Sequence, residues 1–406
     1  MSNIPKLRFP EFSGEWEENK LSDFMTRLTR KNSNNESSRA LTISSVDGLI
    51  DQGEFFKKQI ASKDTSGYYL LKKGDFAYNK SYSVGYDYGS IKRLDRYEDG
   101  VVSTLYICMS LTSDTNSDYL THYFDSMKWN KSVSEISAEG ARNHGLLNIP
   151  TEAFFQTKHY LAPSLPEQQK IADFLSNVDS IITAETKILN TLQKKKKALM
   201  QKLFTQQLRF KSDDGTDFPA WEEKKLGEIS SSPKYGLNAS GIDYDGEHKY
   251  LRITDIDEVT HTFSPEEITT PSEFSDDYLL EENDIVFART GASTGKTYLY
   301  NPNDGDLYFA GFLIKFHIKD ANARFVFYQT CTHEYEKWVH VMSTRSGQPG
   351  INSEEYSTLK IQLPCIEEQQ KIADCLSSID SLIQTQQKVV TTWQQRKKAL
   401  LQQMFI

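Results

Sequence analysis

Cysteine is scarce in this chain, and the few cysteines are scattered. The four among 406 residues form no Cys-x-x-Cys pair. That usage fits a reducing compartment and argues against a disulfide framework or a zinc knuckle. No apolar run is long enough to span a bilayer, and the opening MSNIPKLRFPEF lacks the apolar core of a signal peptide. We therefore expect a cytoplasmic protein with no membrane partner.

The usual signatures of catalysis are also missing. GASTGKT at 291–297 is one residue short of the phosphate-binding pattern Gly-x4-Gly-Lys-Ser/Thr, and the TYLYN after its lysine favours a strand where that loop needs a helix. The segment is better interpreted as an exposed glycine-rich hairpin turn. His333-Glu334 lacks the second histidine of a zinc-protease helix, and neither a serine elbow nor an amino-methyltransferase segment is present. We expect no catalytic residue and no metal site.

Basic residues are outnumbered, which bears on nucleic-acid binding. The net charge is −9, but residues 211–362 alone contain 14 basic and 27 acidic side chains. The acidity is therefore local, and it neither establishes nor excludes a DNA partner for the whole chain. It does disfavour a long basic face in that region.

One long segment occurs twice. Residues 167–204 and 368–405 align without a gap and share 21 of 38 positions, including the opening EQQKIAD. Chance does not produce that, so the chain is an internal repeat. Pro166 and Pro364 are placed to start the two helices, because proline is tolerated in a first helical turn.

The helical prediction rests on heptad periodicity. Apolar residues recur alternately four and three apart in both copies, which is the a/d seam of a left-handed coiled coil. Polar residues interrupt the seam at the same two places, Glu185 and Lys196 in one copy and Gln386 and Lys397 in the other. Each helix should be roughly 55–60 Å long, and the natural partner of each is the other copy. The predicted seam residues are Ile171, Leu175, Val178, Ile182, Leu189, Leu192, Leu199, Leu203, Ile372, Leu376, Ile379, Ile383, Val390, Trp393, Leu400 and Met404.

Each helix follows a globular region with a strand-like pattern and frequent turns. Similar lead-ins, with Trp-Glu-Glu at Trp16 and at Trp221, open both regions. Landmarks then recur in order: GDFAYNKS at Gly74 matches NDIVFART at Asn283, and 106–109 resembles 313–316 as a buried strand. We predict an α+β protein with two globular α/β domains separated by two long antiparallel coiled-coil helices. The predicted segments are 1–164 (first domain with lead-in), 165–207 (first helix), 208–362 (second domain with lead-in) and 363–406 (second helix).

Two functions are compatible with this layout. A coiled-coil scaffold or regulator would use the helices for assembly alone. A sequence reader would keep the helices and vary the domains, and the near-identical helices beside divergent domains favour this second interpretation.

The motifs resemble those of the specificity subunit, HsdS, of type I restriction-modification systems, over essentially the whole chain. The resemblance is carried by the duplicated layout, the EQQKIA helix openings, the KKxLxQxxF endings, the W-E-x-x-K-L lead-ins and the R-T-G-x-x-x-G-K turn at Arg289. Pro364 lies three residues further from its EQQK than Pro166 does, which is a departure between the copies.

The resemblance implies a division of labour. Each domain would be a target-recognition domain for one half of a bipartite double-stranded DNA sequence, and the helices would set the unread gap. Two methyltransferase subunits (HsdM) would bind around the helices and methylate adenine N6 with S-adenosylmethionine. Restriction subunits (HsdR) driven by ATP would join to cut DNA. The chain itself would be non-catalytic and hold no cofactor.

Polar turns near strand ends supply the candidate DNA contacts, because their side chains can bond phosphates or base edges. In the second domain these are Arg289, Thr290, Ser293, Lys296, Arg345 and Gln348. In the first domain they are Lys80, Tyr82, Tyr86, Arg142, Asn143 and His144.

Overall fold

The computed structural model describes residues 3–45, 47–56, 64–112, 115–137, 147–344 and 349–406. The chain divides into two compact units. Unit 1 comprises Met1–Lys187 and Gln387–Ile406, and unit 2 comprises Ile188–Gln386. Each unit therefore contains one globular region, the start of the long helix that follows it, and the end of the other long helix.

Unit 1 is built from short strands and helices that precede the first long helix. Its strands are β1 Glu17–Lys20, β2 Met25–Arg27, β3 Leu41–Ser44, β4 Gly48–Asp51, β5 Tyr69–Lys72, β6 Phe76–Asn79, β7 Ser90–Arg93, β8 Asp99–Val102, β9 Ile107–Leu111 and β10 Lys158–Leu161. Its helices are α1 Leu21–Phe24, α2 Gln52–Phe56, α3 Ser117–Asp125, α4 Asn130–Ile136, α5 Thr151–Phe155 and the start of α6 Leu165–Phe204.

Unit 2 follows the same plan with some short helices tightened to 3-10 turns. Its strands are β11 Glu222–Lys225, β12 Lys234–Tyr235, β13 Gly241–Asp243, β14 Lys249–Leu251, β15 Thr269–Pro271, β16 Asp284–Ala288, β17 Thr297–Leu299, β18 Leu307–Phe309, β19 Leu313–His317 and β20 Lys360–Leu363. Its helices are α7 Ala323–Gln329, α8 His333–Ser343, α9 Ser353–Ser357 and the start of α10 Ile366–Met404.

The main sheets of the two units have the same topology. Unit 1 has the strand order β2-β9-β6-β7 and unit 2 the order β12-β19-β16-β17, with antiparallel neighbours throughout. The pairs β1–β10 and β11–β20 join each lead-in to the strand before the long helix. The units differ around these sheets, because β5–β8 is antiparallel whereas β14–β18 is parallel. The predicted α+β fold with an internal repeat is confirmed.

The shared Asp before the central strand has a structural reason. Asp75 accepts the backbone N–H of Lys72 at 2.7 Å, and Asp284 accepts that of Glu281 at 2.9 Å. Each carboxylate thereby closes the turn that leads into β6 or β16. Both strands are buried, so a one-residue slip of register would move apolar side chains out of the core.

The long helices pair in antiparallel fashion inside each unit. In unit 1, Ile171 and Leu175 of α6 share a core with Met404 of α10, while Asp179 further along α6 meets Lys397, which comes earlier in α10. Unit 2 repeats this with the ends exchanged: its core takes up the end of α6 and the start of α10. The sixteen predicted seam residues are all buried or half-buried, as residues between packed helices are.

The prediction that proline opens both helices is half right. Pro166 lies in the first turn of α6. Pro364 instead precedes α10, which begins at Ile366, and its carbonyl accepts a 2.8 Å hydrogen bond from Gln369 Nε2. At the 201-residue offset of the repeat, Pro364 aligns with Pro163, and Glu367 takes the place of Pro166 in the first helical turn.

A histidine is buried in the core of unit 1. His159 Nδ1 lies 2.8 Å from the Tyr123 hydroxyl, and Nε2 lies 2.8 Å from the Thr157 hydroxyl. Burial lowers the pKa of His159 to about 3, because the charged imidazolium would lose its hydration there. The ring is therefore neutral at pH 7 and acts as a structural polar group.

Candidate nucleic-acid interface

The predicted contacts of unit 2 lie on the connection between β16 and β17, which pair as a hairpin. The turn holds a short 3-10 segment, Gly291–Ser293, and then Gly295 at φ +91°. A Cβ at Gly295 would lie 2.5 Å from a Val339 methyl, so glycine is required by space as well as by backbone angle. Strand β17 follows Lys296 where a phosphate-binding loop would need a helix, so the hairpin is confirmed. The prediction that the turn is exposed is wrong, because only Ala292 among residues 291–297 is exposed.

Arg289 leaves the end of β16 with its side chain partly fixed. Its Nε donates to the carbonyl of Gly311 at 3.0 Å, and its guanidinium carbon lies 5.2 Å from the Tyr235 ring centre and 5.8 Å from that of Phe312. The backbone is held too, because the N–H of Ile351 donates to the Arg289 carbonyl at 2.9 Å. The guanidinium thus lies close to two aromatic rings.

Lys296 is placed differently from Arg289. Its ammonium donates to the Ile256 carbonyl at 3.0 Å and lies 3.4 Å from a Glu258 carboxylate oxygen, with 11% of the side chain exposed. This lysine is committed to holding the segment around Ile256 against the hairpin. Thr290 and Ser293 are half-buried on the same turn.

Unit 1 places its predicted contacts on the equivalent connection, between β6 and β7. Lys80 occupies the position of Arg289, and its carbonyl accepts the N–H of Leu147 at 3.0 Å, as the Arg289 carbonyl accepts that of Ile351. Partial burial lowers the pKa of Lys80. Tyr82 is exposed, and so is Val84, which is 90% exposed. Tyr86 forms a tight turn with Ser83.

The other five predicted contacts lie outside the described residues, namely Arg142, Asn143, His144, Arg345 and Gln348. Sequence reasoning missed Tyr235 and Phe312. The strand register would have identified Phe312. Ile285 pairs with Phe316 in antiparallel strands, so four residues further along, Arg289 lies opposite Phe312. A single sequence read segment by segment does not contain that pairing.

The repeated EQQK motif fastens three segments together in each unit. Glu167 accepts both a bidentate pair from Arg8, at 2.7 and 2.9 Å, and the indole N–H of Trp16 at 3.2 Å. Glu368 does the same for Arg209, at 3.1 and 2.6 Å, and for the Trp221 indole at 3.2 Å.

The next residue of the motif holds the globular region. Gln168 accepts the N–H of Asn116, and Gln369 accepts that of Asn322, each at 2.9 Å. Both asparagines cap the helix that follows them, α3 and α7 respectively. The identical motif thus ties lead-in, domain and long helix in the same way in both units.

A charge pair replaces apolar packing at one seam position in each unit. Lys397 lies 2.7 Å from Asp179 in unit 1, and Lys196 lies 2.5 Å from Asp380 in unit 2. In unit 1, His122 Nδ1 is 3.8 Å from Asp179 and has no hydrogen-bond partner among the described residues. Burial first, and then the Lys397 charge, lowers the pKa of His122.

The helix pair of unit 1 also carries an open apolar groove of about 440 Å³. Its lining residues are Phe174, Asn177, Val178, Ile181, Trp393, Arg396, Ala399, Leu400 and Gln403. Phe174 and Ile181 are exposed large apolar side chains. Such a surface is typical of a contact with another protein.

Within the described ranges, one group of side chains has the spacing of a metal site. Glu281, Asp284 and His317 offer ligand atoms within 4.8 Å of one another. The ammonium of Lys315 lies 3.0 Å from Asp284, so this carboxylate already has a cationic partner, and we assign no metal there. In the same described part of the chain, no helix combines the length and apolar character needed to cross a bilayer.

Comparisons with known proteins agree on one family. Residues 220–392 match the family model described as the Type I restriction modification DNA specificity domain. The type I restriction enzyme MjaVIII specificity subunit of Methanocaldococcus jannaschii is 28% identical over 321 residues, which cover 74% of this chain and 72% of that subunit. The HindI specificity subunit of Haemophilus influenzae is 25% identical over 195 residues, 46% of this chain and 41% of that subunit.

Solved structures show the same fold. The S subunit of a type I restriction-modification system from M. genitalium superposes with a TM-score of 0.57 at 13% identity, over 99% of both chains. A chain from a structure on assembly and conformational transition of the type I R-M system gives 0.54 at 16% identity, over 97% of this chain and 98% of that one. The resemblance found in the sequence is confirmed: residues 220–392 match the DNA specificity domain, and the chain is similar to the specificity subunits, HsdS, of type I restriction-modification systems.

Proposed function

We propose that each unit reads one half of a bipartite DNA target. The observation that carries this is one sheet order used twice, with the same helix-fastening motif and different loops. Two readers that need the same orientation toward a partner but different targets would keep the frame and vary the loops. A scaffold has no such need, because its domains would not have to discriminate.

The proposed contacts are the residues at the sheet ends. Arg289, Thr290 and Ser293 serve unit 2, and Lys80, Tyr82 and Tyr86 serve unit 1. Lys296 contributes to DNA reading indirectly, by holding the hairpin in place, because its ammonium is already paired. The contacts proposed from sequence alone at 142–144, 345 and 348 remain part of the hypothesis.

The helices are proposed to fix the unread gap and to dock methyltransferase subunits. Both α6 and α10 contribute to both units, and the groove on the unit 1 pair gives a partner an apolar surface. A stiff connection between two weak half-site contacts makes them one bivalent binder. Two methyltransferase subunits would then place adenines of both half-sites for N6 methylation.

Catalysis is proposed to belong to those partners. S-adenosylmethionine would be bound by the methyltransferase subunits and ATP by the restriction subunits, HsdR. A target adenine has to leave the stack before its N6 can be methylated, which requires an enzyme held at a fixed position on the duplex. Supplying that position is the task proposed for this non-catalytic chain.

The charge distribution leads to a hypothesis on affinity. Phosphate contacts by Lys and Arg supply much of DNA-binding free energy, and residues 211–362 are strongly acidic. We expect the isolated chain to bind DNA weakly and the complex with methyltransferase subunits to bind well. A gel shift at fixed salt tests this, and tight sequence-specific binding by the chain alone would refute it.

Co-expression with the methyltransferase subunit, followed by mapping of N6-methyladenine in the host DNA, tests the proposed function. We expect one bipartite motif with a fixed gap. A folded partner that forms no complex with the chain and leaves the DNA unmethylated would contradict the proposal and favour the scaffold.

A further inference from the structure

We propose that Arg289, Tyr235 and Phe312 form one base-reading point in unit 2, at which Arg289 reads a guanine and Phe312 contacts the methyl group of a neighbouring thymine. The inference rests on the proposed function. It adds two aromatic residues that no sequence motif marks, and it specifies which base groups the site recognises.

Arg289 is held so that its far end is available. Its Nε is used by the Gly311 carbonyl at 3.0 Å, and its backbone N–H donates to the Phe312 carbonyl, also at 3.0 Å. No residue in the described part of the chain takes a hydrogen bond from its two Nη groups. Two parallel Nη–H donors match O6 and N7 of guanine in the major groove, which is the commonest specific arginine contact with DNA.

The two rings have different roles. Tyr235 is anchored, because its hydroxyl lies 3.1 Å from the Ser353 hydroxyl and accepts the Ser353 N–H at 3.2 Å. It is a positioning residue that forms one fixed wall beside the guanidinium. Phe312 is 58% exposed, and apolar side chains such as phenylalanine contact the thymine methyl in the major groove.

Unit 1 has comparable residues at the equivalent positions. Phe76 pairs with Met109 there as Ile285 pairs with Phe316 in unit 2. Four residues beyond the pair, Lys80 takes the place of Arg289, and Leu105, 59% exposed, takes that of Phe312. A basic residue and an exposed apolar residue thus hold equivalent positions at the same sheet end in both units, which is expected of a reading point whose target has diverged.

The test uses the complex of this chain with its methyltransferase subunits and duplexes carrying the mapped target. With wild-type protein, replacing the proposed thymine by uracil removes only the methyl group. We expect this change to lower kcat/KM for methylation, and Phe312→Ala to lower it to a similar degree while making the complex indifferent to uracil. Phe312→Leu should restore part of the preference for thymine.

Arg289→Ala should relax one guanine position in one half-site, reducing discrimination there on the order of tenfold to a hundredfold. Arg289→Lys keeps the charge but loses the two-pronged contact, so we expect it to relax the same position. The other half-site should be unchanged, which provides an internal control. Phe274→Ala, an exposed aromatic residue elsewhere in unit 2, should leave both half-sites unchanged.

The outcomes distinguish a failure of this inference from a failure of the proposed function. A wild-type bipartite target whose recognition ignores uracil, Phe312→Ala and Arg289→Ala would overturn the inference and leave the proposed function standing. Equal loss of methylation on every sequence would overturn it too, because it would indicate a backbone contact. A wild-type complex with no bipartite target would overturn both.

Discussion

A single buried glutamate fastens each lead-in to its long helix. Glu167 is 1% exposed in its side chain, and its partner Arg8 is 9% exposed. Glu368 is equally buried, but its partner Arg209 is 26% exposed. A buried charge left without its partner is costly, which explains why the glutamate, arginine and tryptophan recur together in both halves.

We predict that Glu167→Ala lowers the free energy of unfolding of unit 1 by about 3–5 kcal/mol, because Arg8 would remain buried and unpaired. Glu368→Ala should cost less in unit 2, since Arg209 can reach water. Urea unfolding followed by tryptophan fluorescence measures both. Equal losses for the two variants would contradict the role given to burial.

His159 makes the stability of unit 1 depend on pH. The folded state keeps this ring neutral down to about pH 3, whereas in the unfolded chain it takes up a proton near pH 6.5. The stability is therefore fully present above pH 6.5 and is lost as the pH falls from 6.5 toward 3. At pH 5 the loss is about 2 kcal/mol.

The matched change is His159→Ile, because unit 2 has a buried Ile361 at the equivalent position of β20. We expect its urea midpoint to fall less between pH 7.5 and pH 5 than the wild-type midpoint does. The comparison uses the change in midpoint between the two pH values. The variant's midpoint at one pH is not informative, because loss of the Tyr123 and Thr157 contacts shifts it at both pH 7.5 and pH 5. Identical pH slopes would contradict the assignment.

The residue scale is also where prediction from sequence stops. Arg289 and Lys296 lie on one polar turn and are chemically alike, so the sequence ranks them together. The structure separates them through Ile256 and Glu258, some forty residues earlier, which occupy the lysine. Contacts between distant segments decide which side chain is available to a ligand, and no local pattern reports them.

At the scale of elements, the polar seam positions specify how the helices pair. Lys397 meets Asp179 and Lys196 meets Asp380 only in the antiparallel alignment seen in each unit. Polar residues at seam positions set register at some cost in stability. The heptads were predictable because helix periodicity is local, whereas the position of Tyr235 beside Arg289 depends on how β12 pairs with β19.

We predict a favourable coupling on the order of 1 kcal/mol between Lys397 and Asp179 in a double-mutant cycle with alanine. The pair is partly exposed, so 0.5 M salt should weaken the coupling. The same cycle on Lys196 and Asp380 provides the comparison, and thermal unfolding measures both. A coupling of zero in both cycles would mean that the charges do not stabilise the alignment.

At the scale of the whole molecule, each unit's core is completed by the end of the other repeat's helix. Leu401, Met404 and Phe405 belong to the core of unit 1, and Met200 and Leu203 to that of unit 2. Phe405 packs against the rings of Trp16, Tyr119 and Tyr123 at 5.4–6.1 Å between centroids.

Phe405→Ala should therefore destabilise unit 1 by about 3–5 kcal/mol, as is usual when a buried phenylalanine is truncated. The equivalent change in unit 2, Phe204→Ala, should cost less because Phe204 is only half-buried. Limited proteolysis with fragment mapping distinguishes the units: cleavage should rise first within residues 1–187 for Phe405→Ala. Cleavage confined to unit 2 in that variant would contradict the packing described.

Because the core of unit 1 includes residues from the end of the chain, unit 1 finishes folding late in biosynthesis. The first 187 residues of unit 1 leave the ribosome some 200 residues before the segment that begins at Gln387. At 5–20 residues per second that interval is roughly 10 to 40 s. During it the nascent unit 1 exposes the apolar site that Leu401, Met404 and Phe405 later fill, while unit 2 is synthesised to completion. The first unit to be translated is thus the last to be finished, and it is the one that needs protection from aggregation while it waits.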